Sequence, residues 1–189
     1  MRPTLRKRKS ANFKKLKQGG YKVKKFVVLV VLMLNVLAVA NVRAGEKATP
    51  QEVYDMVVKS ANVLEALGED GLVAFNDPKG EFTWKDTYVQ VYNCEAHRVV
   101  GHPNTKLLET PPDEWWKTQD KKGNFLTQAL CEASKNPYGG WVEYWWPKRG
   151  ETEPSRKVTF IIQVPKRPYQ VSAGIYDDKI TIEELNKIK

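Results

Sequence analysis

Residues 26–40 form a fifteen-residue apolar run broken only by Asn35, with Lys22, Lys24 and Lys25 before it and Val42-Arg43-Ala44 after it. A basic segment, a short apolar core and small residues at the −3 and −1 positions make a secretory signal peptide, with cleavage expected after Ala44. An uncleaved anchor is the other reading, and the run is shorter than the roughly 18 residues of a spanning helix. What can fold is therefore residues 45–189, one domain of ordinary size, and it is expected to fold outside the cytosol, periplasmic or secreted. The chain ends after a short polar helix pattern with no second apolar segment, so the expectation is a free-standing domain that meets the membrane only through its signal segment.

Charge follows the same division. The chain carries a formal charge of +9, yet residues 1–44 hold 12 basic and no acidic side chains, which leaves 19 basic against 22 acidic in residues 45–189. A nucleic-acid module carries its basic footprint on the folded domain. Here the folded part is mildly acidic, and a nucleic-acid partner is not expected.

Export also governs Cys94 and Cys131. Thiols oxidise outside the cytosol, and neither cysteine lies in a C-x-x-C or C-x-x-C-H, so a disulfide is the expected state. Two buried free thiols remain the alternative.

Thr49-Pro50-Gln51-Glu52 is a capping box with Pro at the first helical position. A helix is predicted from there to Gly68, with Val53, Met56, Val57, Ala61, Leu64 and Leu67 at spacings of three and four. A short second helix over 72–75 and a turn at Asp77-Pro78-Lys79-Gly80 follow. The period then becomes two, which predicts strands near residues 88–93, 98–102, 141–146, 157–164 and 169–176. Residues 103–123 read as a polar stretch and 124–135 as a helix. Pro165-Lys166-Arg167-Pro168 joins the last two strands as a hairpin, and a second capping box at 181–184 opens a short terminal helix. The fold class is α+β: a five-stranded antiparallel sheet with a long N-terminal helix on one face.

Catalytic signatures are scarce. There is no G-x-S-x-G, H-E-x-x-H, P-loop or G-x-G-x-x-G, and neither the spacing of His97 and His102 nor the Asp177-Asp178 pair suggests metal ligation or acid–base work. No enzyme, no cofactor and no metal are expected. An enzyme would need a titratable pair such as His102 with Glu143, and strand alternation puts Glu143 on the face opposite Tyr144. The aromatics say more. All six Trp fall between Trp84 and Trp146, and period two places Val142, Tyr144 and Trp146 on one face of a strand and Trp141, Glu143 and Trp145 on the other. A Tyr hydroxyl or Trp indole inside a core needs a partner, which a small cavity holding a polar ligand supplies.

Phe75-Asn76-Asp77-Pro78-x-Gly80-x-Phe82, Tyr88-Val89-x-Val91-Tyr92, Gly101-His102-Pro103-Asn104, Gly140-Trp141-Val142-Glu143-Tyr144-x-Trp146-Pro147, Lys157-x-x-Phe160 and Ala173-Gly174-Ile175-Tyr176 occur in that order. In this the chain resembles the single Cache domain of bacterial extracytoplasmic sensors over about residues 50–178. Gly101 stands where an alanine is usual before His-Pro, and Phe160 where a Tyr is usual. The resemblance implies a PAS-like sheet, a small-molecule pocket and a sensing role, with a membrane signalling protein as a possible partner. The expected ligand is a small organic molecule, such as a short carboxylate, held against the sheet by His102, Tyr144, Trp146 and Lys157. Lys157 would neutralise the carboxylate, although beside Arg156 it also reads as a solvent-facing edge residue. Trp115 and Trp116, in the polar stretch, are expected to lie away from the ligand. The alternative function is a cell-envelope structural or interaction protein with a filled core and no ligand.

Overall fold

Helix α1 (Pro50–Leu67) begins where the capping box places it. Thr49 Oγ1 accepts from the Glu52 amide, and the Glu52 carboxylate accepts from the Thr49 amide at 2.8 Å. The computed structural model describes residues 46–188, so the basic segment, the apolar run and the cleavage site expected after Ala44 lie outside the described residues. Gly68 ends the helix at φ 59°, its N–H turned back to the Leu64 carbonyl. Val53, Val57, Ala61 and Leu64 are buried as the stripe requires, whereas Leu67, one turn too late to reach the sheet, is exposed. The expected second helix is a longer 3₁₀ segment, Gly68–Asn76.

Six strands follow: β1 (Thr83–Trp84), β2 (Thr87–Asn93), β3 (Arg98–Gly101), β4 (Gly140–Pro147), β5 (Pro154–Gln163) and β6 (Gln170–Tyr176). Their order is β1-β2-β6-β5-β4 with β3 also paired to β2, and every pairing is antiparallel. The five expected strands are all present. The sixth, β1, has two residues and pairs only Thr83 with Tyr88 and Trp84 with Thr87, too short to leave a period in the sequence. The hairpin between β5 and β6 closes with Gln163 opposite Gln170. At Gly101 an added Cβ would sit 3.0 Å from Val91 Cγ2 and 3.1 Å from Phe75 Cβ, which accounts for glycine at this position.

Alternation divides the sheet's side chains cleanly. Val89, Val91, Trp141, Val158, Phe160, Val171, Ala173 and Ile175 pack with α1 in one core, which also takes the fully buried Leu185 of α4 (Ile182–Leu185). Tyr92, Tyr144 and Ile161 face the other way, into a second cluster with Val99, Trp115, Leu126, Leu130 and Cys131. That second cluster corrects the reading of residues 103–123. They hold a 3₁₀ turn (Thr105–Glu109) and helix α2 (Pro112–Trp116), and with α3 (Leu126–Ala133) they cover the face of the sheet opposite α1.

Two attachments hold this cover. On the β2 side Cys94 and Cys131 are disulfide-bonded, the state expected from the sequence, with Cα atoms 5.9 Å apart. Closing a loop of this size stabilises by about 3 to 4 kcal/mol in the chain-entropy account. On the β4 side the buried Asp120 carboxylate accepts from the Lys122 and Asn124 amides at 2.9 Å and from the Trp145 amide at 3.1 Å. Burial alone would raise the Asp120 carboxyl, but those bonds outweigh it and hold it below its ordinary value. Replacing Asp120 with Ala is therefore expected to leave three amides without their acceptor and to cost about 3 kcal/mol, read as a lower urea midpoint. A loss below about 1 kcal/mol would show that the Asp120 anchor contributes little.

Candidate functional site

Between the sheet and its cover lies a cavity of about 240 Å³, bounded on the sheet side by Tyr88, Gln90, Tyr92, Tyr144, Trp146 and Lys157 and on the cover side by Trp115, Leu126, Thr127 and Leu130, with His102, Thr110, Glu114 and Thr118 among the remaining walls. All four residues singled out from the sequence, His102, Tyr144, Trp146 and Lys157, are brought together here. The sheet contributes them by alternation: Tyr144 lies opposite Lys157 in the β4–β5 ladder, and Lys157 lies opposite Tyr176 in the β5–β6 ladder.

Lys157 is not at a solvent-facing edge. It is 4% exposed, while its neighbour Arg156 turns to the other face, gripping Glu143 and the Asp177 and Ile180 carbonyls. The ammonium lies 5.2 Å from the centre of the Tyr88 ring and 5.3 Å from that of Tyr176. Among the described residues no carboxylate reaches it within ion-pair distance; Asp86 acts on it only at longer range. Burial lowers its pKa to about 8, so at neutral pH the cation persists.

His102 follows β3, where its backbone N–H donates to Asn76 Oδ1 at 3.0 Å. Its Nδ1 accepts from the Asn104 amide at 2.8 Å, which leaves the proton of the neutral ring on Nε2. Burial, and then the Lys157 charge, push its pKa down to about 4, so at neutral pH His102 is an uncharged donor. Its ring meets Tyr88 edge-on at 4.9 Å.

Tyr144 is buried, with its hydroxyl 2.9 Å from Thr159 Oγ1. That hydroxyl already has a partner within the protein, so its part at the cavity is first to shape the wall. Glu143 is engaged by Arg156 on the opposite face and does not converge with His102. Trp115 corrects an expectation, because it is 5% exposed and lines the cavity, stacked obliquely on Tyr92. Sequence reading passed over Tyr88, Gln90 and Tyr92 as ligand contacts. The signal was present, since Tyr88-x-Gln90-x-Tyr92 alternates on β2 just as Tyr144-x-Trp146 does on β4.

Among the described residues no group of three or more His, Cys, Asp or Glu side chains could hold a metal ion, and no helix is long and apolar enough to cross a membrane. The architecture is that of known sensor domains. A structure described as the periplasmic sensor domain of a chemotaxis protein is 26% identical, with 66% of this chain and 88% of that one covered at a TM-score of 0.50. A second, described as the structural basis for carboxylic acid recognition by a Cache chemosensory domain, shares the fold at 18% identity, with 85% and 98% covered at a TM-score of 0.50. The model of the Cache domain family matches residues 78–181, which is more than half of the chain and spans β1 to β6 with the cavity between. With the mixed helix and antiparallel-sheet architecture and the walled cavity, that match places this chain in the Cache domain family.

Proposed function

We propose that this Cache domain is an exported sensor module, periplasmic or secreted, that binds a short carboxylate in the cavity and passes its occupancy to a membrane signalling partner. One observation supports the ligand class above all others: Lys157 holds a buried cation in the cavity wall with no carboxylate of the described residues within ion-pair distance, the one carboxylate of the lining, Glu114, being exposed. Burying an unpaired charge is costly, and a ligand carboxylate would supply the missing partner. His102 Nε2–H and the Tyr88 hydroxyl, whose residues line the same cavity, would donate to the same anion. The solved relatives, a chemotaxis sensor and a domain that recognises carboxylic acids, support the sensing role.

Binding should carry a pH signature. The titratable groups around Lys157 are Tyr88, Tyr144 and Tyr176, all pushed upward chiefly by burial, the neutral His102, and Asp86 at longer range. Lys157 is thus the group that changes charge between pH 6 and 9. A bound carboxylate would raise its pKa, so binding takes up a proton above the free value of about 8. In calorimetric titrations with monocarboxylates of two to five carbons, affinity should be level from pH 6 to 7.5 and fall about tenfold per pH unit once well above 8. No binding at millimolar concentration, or an affinity unchanged up to pH 9.5, would overturn the assignment.

A further inference from the structure

Among the described residues Lys157 is the one lysine that lies buried, and it belongs to the wall of a cavity. Lys59, Lys85 and Lys166, by contrast, pair with carboxylates near the surface. A lysine kept from water and from anions is the form in which proteins use this side chain as a nucleophile, because burial disfavours the ammonium and frees the nitrogen lone pair. Burial lowers the Lys157 pKa to about 8, so at pH 7 about one amine in ten is neutral. For an ordinary lysine the fraction is about one in 2,500.

The surroundings narrow the electrophile. The cavity holds about 240 Å³, and the exposed Leu107 and Glu114 among its lining residues open it to solvent. Trp115, Leu126 and Leu130 make its wall opposite the sheet apolar. An uncharged molecule enters without the cost of desolvating an ion, and a chain of a few carbons gains contact with that wall. A short aliphatic aldehyde meets both conditions and carries the carbonyl carbon that an amine attacks.

We propose that Lys157 is a covalent capture site for short aliphatic aldehydes, which condense with its amine to an imine inside the cavity. The site goes beyond the carboxylate reading, since it needs the Lys157 amine to face the cavity whatever anion binds there. The ammonium first gives one proton to solvent. The lone pair then forms the C–N bond, the C=O π bond breaks, and one N–H proton passes to the oxygen, giving a carbinolamine. A proton returned from solvent lets the C–O bond break, and water leaves. The net change is ammonium plus aldehyde to iminium plus water, with the positive charge conserved. The iminium keeps that charge where the ammonium lay, about 5 Å from the centres of the Tyr88 and Tyr176 rings.

The test is reductive trapping. The folded protein is incubated with propanal or butanal and cyanoborohydride at pH 6 to 10, then digested, and the alkylation rate of each lysine is followed by mass spectrometry. At pH 7 Lys157 should be alkylated at least tenfold faster than the exposed Lys79 and Lys121. Its rate should level off above about pH 8 while theirs keep rising, and in 8 M urea its advantage should vanish. Lys157→Arg should lose the fast reaction while melting as a folded protein; should that variant fail to fold, the site-resolved rates of the wild type decide alone. A Lys157 that stays unmodified, or that reacts no faster than Lys79 and Lys121 at pH 7, overturns the capture site and leaves the carboxylate reading to its own calorimetric test.

Discussion

Replacing Lys157 with Met should raise the melting temperature of the ligand-free domain and abolish its carboxylate binding in the same step. The two effects share one cause. The ammonium is buried without a counter-charge among the described residues, and its pKa falls from the ordinary value near 10.4 to about 8. Folded and unfolded chains therefore differ in proton affinity at this residue: between about pH 8 and 10.4 the unfolded chain holds the extra proton, so wild-type stability rises with pH across that window. Below pH 8 the full penalty applies, about 3 kcal/mol at 1.4 kcal/mol per unit. Met keeps the length of the side chain and removes the charge. It also gives up the contacts of the cation with the Tyr88 and Tyr176 rings, which offset part of the gain. A net stabilisation of about 1 to 2 kcal/mol remains, or roughly 3 to 6 °C in a domain of this size. Binding should weaken at least a hundredfold, because a carboxylate entering the cavity would meet no charge. Melting curves at pH 7 and 10 decide the matter. The variant should lose the wild type's rise in stability with pH. A variant no more stable than the parent at pH 7, or one that still binds, would refute the role of Lys157 as an unpaired cation awaiting a ligand.

Such a trade of stability for binding is only half visible in the sequence. The lysine stands out, but Ser155-Arg156-Lys157 at a strand end looks the same whether it is solvated or buried. Which of the two basic residues turns inward depends on a partner distant in the chain: Glu143 and the Asp177 and Ile180 carbonyls hold Arg156 on the other face, and alternation then delivers Lys157 to the cavity. Features with a strong local period are legible, among them the capped helix α1, the alternation of β4 and the hairpin of β5 with β6. The cover is not. Helix α2 is five residues long, enters from Pro111 without a side-chain cap and presents Asp113 and Glu114 to solvent, so burial of Trp115 leaves no periodic trace. The engagement of the Tyr144 hydroxyl is equally hidden, since its partner Thr159 is set by the ladder register between β4 and β5. A Tyr144→Phe change therefore bears on the packing of the sheet before it bears on any ligand.

Gly174→Ala should be among the most damaging single substitutions in the domain, although the added group is one methyl. Gly174 lies opposite Thr159 in the β5–β6 ladder, with β6 flanked on both sides by paired strands. A Cβ at this position would run into Thr159 Oγ1, and it would lie 2.7 Å from the Val158 carbonyl oxygen and 3.0 Å from Thr159 Cα. Two of those three atoms belong to the backbone of a central strand and cannot swing aside. The third carries the buried hydrogen bond with the Tyr144 hydroxyl, which shapes the cavity wall. The Gly174 carbonyl is itself held, accepting from Thr87 Oγ1 at 2.6 Å. Restricting the unfolded chain would by itself make alanine slightly stabilising, by about 0.4 to 1 kcal/mol. Overpacking costs about 1 to 3 kcal/mol, and a buried hydroxyl pair forced apart adds about 1 to 3 more, so the net loss should be about 3 to 4 kcal/mol. For a domain with about 5 to 15 kcal/mol of total stability that is a large fraction. Thr159→Ala removes the hydroxyl that the new methyl strikes, so the double variant should be destabilised by less than the sum of the two single ones, by roughly 1 kcal/mol or more. Strictly additive losses in urea unfolding, or a Gly174→Ala protein within about 0.5 kcal/mol of wild type, would mean that the strands part easily enough to admit the methyl and that the cavity wall does not depend on their close approach.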